Sequence, residues 1–463
     1  MNKRFTLGLA AMVMMMSCLS CTTRNDGGIE QITLMTLDPG HFHAALVQKT
    51  MIPGISPVAH MFAPQGPDAA DHLARISGFN SRAEDPTRWE MRVYMDDDYL
   101  EQMLEQRPGN VVILSGRNRD KTRYIKASVD AGLNVLADKP MCIDAAGCEL
   151  LENAFADADR NGVLLYDIMT ERSEITTILQ RELSRDPAVF GELLPGTVER
   201  PAVIKESVHH FFKNVAGKPI KRPGWYFDTT QQGEGIVDVT THLVDLVMWG
   251  CFPGQRIDFD RDVRMLKARR WPTMISREQY KKVTQLDDFP AFPADKLDAD
   301  GNLPCFANGE MNYTLRGVHV KIVVKWNFEA PAGAGDTHYS IMRGSKAALV
   351  IRQDADQKYR PELYVEPAAG VDHTRLGAAL KKAVKRLQKN YPGVALTPHE
   401  DGWRVLIPGE YRIGHEAHFA QVMERYLQYL ADGKLPAWEV PNMLAKYRTT
   451  TAALELARET VIR

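Results

Sequence analysis

Short apolar runs alternate with helical patterns through the first third of the chain. The runs consist mainly of Val, Ile, Leu, Met and Ala, which predicts buried strands. They fall at residues 32–37, 58–63, 91–94, 110–115 and 134–137. Helical patterns lie at 42–49, 98–105 and 120–131, so strands and helices alternate, which predicts a parallel, doubly wound α/β sheet. Ligands of such sheets bind beyond the carboxyl ends of the strands, so the residues after each strand are the candidates for chemistry.

Beyond residue 308 the pattern changes to extended segments joined by short turns. These segments are 310–315, 318–327, 338–343, 347–352 and 362–366. The β-branched content of 318–326 favours a strand, and the succession predicts a largely antiparallel open sheet. Helical patterns at 376–388, 418–430 and 440–460 follow the sheet. The chain therefore combines an α/β domain with a second domain of α+β type.

Composition narrows the class of partner. The 463 residues are 44% hydrophobic and 25% charged, with 57 Lys+Arg against 59 Asp+Glu. This length is typical of two domains, each large enough to bury a core. Without a long basic run the chain lacks the electrostatic footprint of nucleic-acid binding, so a small molecule is the expected partner.

The first 21 residues have the layout of an export signal. Lys3 and Arg4 precede an apolar run at 5–16, and Cys18 and Cys21 follow it. The segment resembles a bacterial lipoprotein leader with either cysteine as the lipidated residue, and a leader cleaved without lipidation is the alternative. We expect an exported protein, periplasmic or anchored to the outer membrane. The other four cysteines have no Cys-x-x-Cys spacing, so we predict buried thiols and no metal centre.

The turn after the first strand carries a weak nucleotide-binding signal. A dinucleotide site prefers Gly-x-Gly-x-x-Gly there, because the bare backbone must approach the pyrophosphate. Only Gly40 fits, with Asp38 and His43 at the other two glycine positions, and a plain turn is the alternative. The second strand is not followed directly by the acid that often binds a ribose hydroxyl, and Asp68 is the nearest carboxylate.

Two later segments carry stronger signals. Asp138-Lys139-Pro140 follows the fifth strand, where a lysine can bind a substrate hydroxyl and assist in removing its proton. Asp238, His242 and Asp245 are spaced by four and three residues, so a helix would place them on one face. A histidine beside carboxylates can transfer a proton near neutral pH, as the oxidation of an alcohol requires. A metal pair of Asp238 and His242 and simple surface charge are the alternatives.

These segments together resemble the Gfo/Idh/MocA family of oxidoreductases. The likeness rests on the strand order, on residues 108–113 and 131–140, and on the glycine-rich segment before His242, with Asp138 in place of the usual Glu. It implies a Rossmann-like dinucleotide-binding domain at 30–165 and a substrate and oligomerisation domain at 166–463, whose last helix packs back on the first.

The resemblance also implies roles for individual residues. The catalytic residues would be Lys139, His242 and Asp238. The cofactor would contact Gly40, His41, Phe42, Ser115, Gly116, Asn118, Asp138 and Lys139. The substrate would contact Tyr166, Arg172, His209, Trp225 and Tyr226. A strand at Glu206, His209 and His210 would point the two histidines to opposite faces, so at most one of them faces a shared site.

Export constrains the expected reaction. No pool of free dinucleotide exists outside the cytoplasm, so the cofactor must stay bound and be returned to its starting state. We expect an NAD-dependent oxidoreductase that acts on a ring hydroxyl of a sugar or glycoside, with 3-keto sugar formation as one outcome. The lack of a basic 2′-phosphate pocket after residue 63 favours NAD and leaves NADP open. The alternatives are a redox-neutral NAD-dependent glycosidase and a carbohydrate-binding lipoprotein without activity.

Overall fold

Two sheets form the framework of the protein. The computed structural model describes residues 31–215, 218–290 and 296–461. The predicted leader at 1–21 lies outside the described residues. The first sheet has six strands and the second nine, with a small two-stranded sheet beside them. The predicted fold class, a parallel sheet followed by a largely antiparallel one, is confirmed.

The first sheet is parallel throughout its five strand pairs. Its elements in chain order are β1 Leu34–Leu37, α1 His43–Leu46, β2 Val58–Phe62, α2 Pro67–Ser81, β3 Glu90–Tyr94, α3 Tyr99–Gln106, β4 Val111–Leu114, α4 Asn118–Asp130, β5 Asn134–Asp138, α5 Ala145–Asn161 and β6 Leu165–Ile168. The strand order is β3-β2-β1-β4-β5-β6, so the direction of winding reverses between β1 and β4. In a doubly wound sheet this reversal opens the ligand crevice.

The second sheet is antiparallel except where β12 pairs with β7. The elements after β6 are α6 Ile175–Ser184, β7 Val203–Phe212, β8 Asn214–Val215, β9 Lys218–Pro219, α7 Thr229–Gln232, α8 Thr240–Cys251, α9 Phe259–Asp262, β10 Val263–Ile275, α10 Arg277–Thr284, β11 Leu303–Leu315, β12 Val318–Glu329, β13 Thr337–Arg343, β14 Ala347–Gln353, β15 Glu362–Pro367, α11 His373–Leu387, β16 Ala395–His399, β17 Gly402–Leu406, α12 His415–Asp432 and α13 Glu439–Val461. The sheet order is β10-β11-β12-β7-β13-β14-β15-β17-β16.

The last two helices bind the two domains together. Phe419 and Tyr426 of α12 and Tyr447 of α13 belong to the same buried apolar cluster as the strands of the first sheet. The more C-terminal face of α13, with Ala453 and Leu454, packs in the cluster of the second domain. Among the described residues, no helix is both long and apolar enough to cross a membrane. Three of the four described cysteines are buried and all four are free thiols, as expected.

Candidate active site

The crevice at the reversal of the first sheet is built from two backbone turns in close contact. A Cβ atom on Gly116, after β4, would lie 2.2 Å from the carbonyl oxygen of Asp38, after β1. The amides of Gly40 and His41 both donate to the carbonyl of Ser115, at 3.2 and 3.1 Å. This contact explains the glycine at 116. It also means that these two amides are engaged within the fold, unlike the free amides of a complete glycine-rich turn.

Charged and aromatic side chains surround this turn. Arg117 donates to the Asp68 carboxylate at 2.9 Å and lies 3.7 Å from that of Asp38. The indole Nε1 of Trp225 donates to the same Asp68 oxygen at 2.9 Å, and the indole ring lies over Gly40. Asp68 thus supplies a carboxylate at the crevice, although the sequence placed no acid directly after the second strand. Trp225 closes the crevice from the second domain.

Lys139 and Asp238 form an ion pair across the domain junction. The Lys139 ammonium donates to Asp238 at 2.5 Å, and the Gln232 amide donates to the other carboxylate oxygen at 3.0 Å. Burial alone would raise the pKa of Asp238, but the adjacent ammonium lowers it below its ordinary value. The buried ammonium of Lys121 donates to the carbonyls of Asp138 and Pro140 and so fixes the segment that carries Lys139.

His242 lies in the first turn of α8, one helical turn after Asp238. Burial, with a further contribution from the charge of Lys139, lowers the pKa of His242 to about 3. The imidazole is therefore neutral at neutral pH, and its buried Nδ1 has no hydrogen-bond partner. The charge of Glu171, which lies 3.3 Å from His415, opposes this shift. The structure thus brings the three predicted catalytic residues to one side of the crevice, with an imidazole able to accept a proton.

A second group of polar side chains lies between the ends of β1 and β5. His43 Nδ1 is 2.9 Å and His41 Nδ1 is 3.9 Å from the same Asp138 oxygen, and the Ser115 hydroxyl donates to that oxygen at 2.9 Å. Burial lowers the pKa of both histidines. Although burial would raise the pKa of Asp138, the two histidines and Lys121 hold it well below its ordinary value. One ligand atom from each of His41, His43 and Asp138 lies within 4.8 Å of the others.

The second sheet contributes His209 and His210 from β7. The Nδ1 atoms of both rings approach the carboxylate of Asp336, at 3.4 and 2.9 Å. The expectation that the strand would separate the two histidines was therefore wrong, because Asp336, directly before the neighbouring strand β13, is close to both rings. Glu206 does not join this group and instead pairs with Lys325 at 2.7 Å.

Aromatic rings lie beside this group. The His209 ring stacks on Trp326 with a centroid separation of 5.0 Å. Tyr226 stacks near His41 at 6.5 Å and covers the Arg222 guanidinium at 4.6 Å. The predicted substrate residues His209 and Tyr226 thus lie on the side of the second sheet that carries the aromatic cluster, and Tyr226 reaches the first domain.

The structure does not support substrate contact by Arg172 or Tyr166. Arg172 is 3% exposed. Its guanidinium donates hydrogen bonds from Nε and Nη2 to Asp245 and from Nη1 to Glu439. Lys446 completes this network at 2.9 Å from Asp245. Tyr166 is 1% exposed and its hydroxyl points at Glu439, 3.5 Å away. These polar groups are all used inside the domain junction, so their role is structural.

Asn118 and Phe42 also differ from their predicted cofactor roles. Asn118 is buried, its amide donates to the Gln232 carbonyl at 2.6 Å, and its oxygen accepts from Lys121. Both polar atoms of its side chain are therefore engaged inside the protein. Phe42 is half-buried and lies 5.6 Å from the Arg75 guanidinium. It flanks the turn, on the side of α2.

Sequence reasoning missed His43, Glu171 and the imidazoles of α12. His43 was considered only as a missing glycine, although a His-x-His pair directly after a strand is itself a signal. Glu171, in a 3₁₀ turn after β6, and His415 lie more than 200 residues apart in the chain. Only the packing of α12 on the first domain brings them together.

The comparisons with known proteins agree with this arrangement. The model of the family "Putative oxidoreductase C terminal domain" matches residues 179–458, more than half of the chain. The crystal structure of a "putative oxidoreductase" from Parabacteroides merdae is 54% identical, covers 93% of this chain and 98% of its own, and superimposes with a TM-score of 0.91. No curated protein matches the chain.

More distant structures share the fold alone. Levoglucosan dehydrogenase in complex with NADH and L-sorbose is 11% identical, with 92% of this chain and 97% of that chain covered and a TM-score of 0.58. A 3-ketoreductase from Actinomadura kijaniata, in complex with NADP and TDP-benzene, is 14% identical over 91% and 96%, with a TM-score of 0.54.

The fold and the junction site define a two-domain oxidoreductase with a Rossmann-like first domain. The chain belongs to the oxidoreductase family whose C-terminal domain is matched at 179–458. The resemblance to the Gfo/Idh/MocA oxidoreductases that the sequence suggested is thereby confirmed.

Proposed function

We propose that this protein is an exported, NAD-dependent oxidoreductase that converts a ring hydroxyl of a sugar or glycoside to a ketone. The observation that carries the proposal is the Lys139–Asp238 ion pair with the neutral His242 one helical turn away. An ammonium to hold an oxygen and an imidazole to take its proton are what alcohol oxidation requires. The sugar dehydrogenase and ketoreductase of similar fold, solved with NADH and NADP, support this choice.

The residues around the crevice fit a nicotinamide dinucleotide. The turn at Gly40 and Gly116 lies at the reversal of the sheet, where dinucleotides bind in doubly wound folds. A Cβ at Gly40 would lie 3.0 Å from Trp225, so a side chain at this position would collide with the indole that closes the crevice. Asp68, at the start of α2, would accept hydrogen bonds from a ribose. A carboxylate at this place favours NAD, since a 2′-phosphate would be repelled by it.

The chemistry divides between cofactor and protein. When bound, the nicotinamide accepts the hydride from the carbon that bears the hydroxyl. The Lys139 ammonium donates a hydrogen bond to the substrate oxygen and stabilises the charge that develops on it. The neutral imidazole of His242 accepts the hydroxyl proton. Asp238 orients Lys139 and balances its charge. The reaction run backwards reduces the ketone, with His242 returning the proton.

The predicted export signal constrains how the cofactor is retained and recycled. A dinucleotide outside the cytoplasm has no soluble pool to exchange with, so we propose that it stays bound between turnovers. The oxidised form would then be restored by reduction of a second ketone, or by re-reduction of the same substrate's ketone after an elimination. The buried junction, with Trp225 over the turn and α12 and α13 across both domains, suits slow cofactor exchange.

The test has two measurements on the purified protein. Denaturation should release one equivalent of dinucleotide, identified by mass spectrometry. Addition of glycosides should then give a ketone product with wild-type protein and none with Lys139→Ala, although the variant still carries the dinucleotide. Unchanged turnover in the variant would reject the role of Lys139. A released sugar without a net change in the cofactor would favour the glycosidase alternative.

A further inference from the structure

We propose that His41, His43 and Asp138 bind a divalent transition-metal ion at the edge of the crevice. The three side chains come from the turn after β1 and the end of β5, which flank β4 in the sheet. One ligand atom from each lies within 4.8 Å of the other two. The inference goes beyond the proposed function, since such a site would exist with or without a bound dinucleotide.

The distances are close to those of a bound ion. Metal–ligand bonds of about 2.0–2.2 Å place adjacent ligands roughly 3–3.5 Å apart. His43 Nδ1 and the Asp138 oxygen are separated by 2.9 Å in a hydrogen bond, and His41 Nδ1, which accepts from the His43 main-chain amide, lies 3.9 Å from the same oxygen. A bound ion would replace both of these hydrogen bonds. A shift of the His41 ring by less than ~1 Å would complete the set. Two imidazoles and a carboxylate favour Zn²⁺, Mn²⁺, Fe²⁺ or Co²⁺ over Ca²⁺ or Mg²⁺.

The second argument concerns the charge of the buried Asp138 carboxylate. Asp138 is 5% exposed, and in the described parts of the chain no lysine or arginine nitrogen lies within ion-pair distance of its carboxylate. Its hydrogen-bond donors are the Ser115 hydroxyl and the His43 ring, both neutral groups. The neighbouring Lys121 donates to the Asp138 main-chain carbonyl instead, and Lys139 is neutralised by Asp238. The two imidazoles and the charge of Lys121 already favour the ionised form of this buried carboxylate, and a bound dication would give it a direct partner of opposite charge.

The place of the ion suggests what it would do. The amides of Gly40 and His41 are taken by the Ser115 carbonyl, so the turn after β1 has lost much of its ability to bind an anion. His41 and His43 stand on this same turn. An ion with only three protein ligands keeps open positions, which can accept an oxygen of an anionic or hydroxylated ligand in the crevice.

The test is metal binding to the full chain, stripped with a chelator and then titrated with Co²⁺ and Zn²⁺. We expect one equivalent per chain, a Co²⁺ d–d spectrum, and X-ray absorption of the Zn²⁺ form that shows imidazole scattering. His41→Gln and His43→Gln each remove a ligand and should weaken binding by more than the roughly 10- to 100-fold that loss of a hydrogen-bond partner of a ligand costs. The matched control is His72→Gln, a buried histidine of α2 outside the group, which should bind as the wild type does.

Two results would overturn the proposal. One is a wild-type protein that takes up no stoichiometric Co²⁺ or Zn²⁺. The other is binding that persists unchanged in His41→Gln and His43→Gln. Should a variant fail to fold, the X-ray absorption of the wild-type Zn²⁺ form decides alone, because absence of imidazole ligands there contradicts the site. Dinucleotide content is measured on the same samples, so a failed metal site and a failed oxidoreductase assignment are told apart.

Discussion

Removal of the Lys139 charge should destabilise the protein strongly as well as inactivate it. Lys139→Met keeps the side-chain length but leaves the Asp238 carboxylate, 5% exposed, with only the Gln232 amide as partner. Loss of one partner of a buried ion pair costs about 3–5 kcal/mol of unfolding free energy. Asp238→Asn should cost less, because an amide oxygen still accepts from Gln232. The double variant should be more stable than the sum of the two single losses predicts, by about 2 kcal/mol.

The pH dependence gives an independent check of the same pair. The ion pair lowers the folded-state pKa of Asp238 below its ordinary value. Its contribution is therefore complete above the ordinary value, about pH 4, and is lost as the pH falls through the lower folded-state value. Urea unfolding of wild type and Asp238→Asn, followed by circular dichroism, should show a constant difference above about pH 5 that shrinks only in more acidic solution. If the losses of unfolding free energy in the two single variants simply add up in the double variant, the direct pairing is refuted.

Three further predictions concern other residues of the junction. Burial lowers the pKa of His242 from 6.5 to about 3, so the free energy of unfolding should fall by up to about 5 kcal/mol as the pH falls across that interval. His242→Gln should lose less stability over the same acid titration. An equal loss would contradict the buried neutral imidazole. Gly116→Ala should lower the amount of bound dinucleotide and cost about 1–3 kcal/mol of unfolding free energy. Gly78→Ala, with open space around it in α2, should instead stabilise the protein by about 0.5–1 kcal/mol. Equal dinucleotide content in the two variants would show that Gly116 does not line the crevice. Arg172→Met should lower the free energy of unfolding by about 3–5 kcal/mol without raising KM. The surface-pair variant Arg386→Ala should lower it by less than about 1 kcal/mol. A raised KM at normal stability would instead support substrate contact by Arg172.

Local pattern was sufficient for the frame of the first domain. The five predicted strands fall within a few residues of β1 to β5. Four of them, β1, β2, β4 and β5, are apolar runs buried on both faces, whereas β3 lies at the edge of the sheet and is largely exposed. The predicted helix at 42–49 is only four residues long, because the amides of Gln48 and Lys49 bond to the carbonyls three residues earlier and the α-helical pattern stops at Leu46. The strand β6 and the helix α5 before it were not predicted.

The catalytic group was predicted through the family motif, and the surrounding contacts could not be. Asp238 and Lys139 are 99 residues apart, and nothing in local periodicity says that they meet at 2.5 Å. Arg172 shows the opposite case, because the family resemblance implied substrate contact for it. Its partners Asp245 and Glu439 lie in α8 and at the start of α13, and only the tertiary structure shows that they neutralise its charge.

Hydride transfer from a labelled substrate tests the central claim most directly. A glycoside that carries deuterium on the ring carbon to be oxidised is mixed with wild-type protein, and the bound dinucleotide is recovered and analysed by mass spectrometry. The account predicts deuterium in the nicotinamide ring, a slower rate with the deuterated glycoside, and no label in the cofactor of Lys139→Met. Formation of the ketone in a single turnover, without any added ketone acceptor and with no deuterium in the bound cofactor, would contradict it.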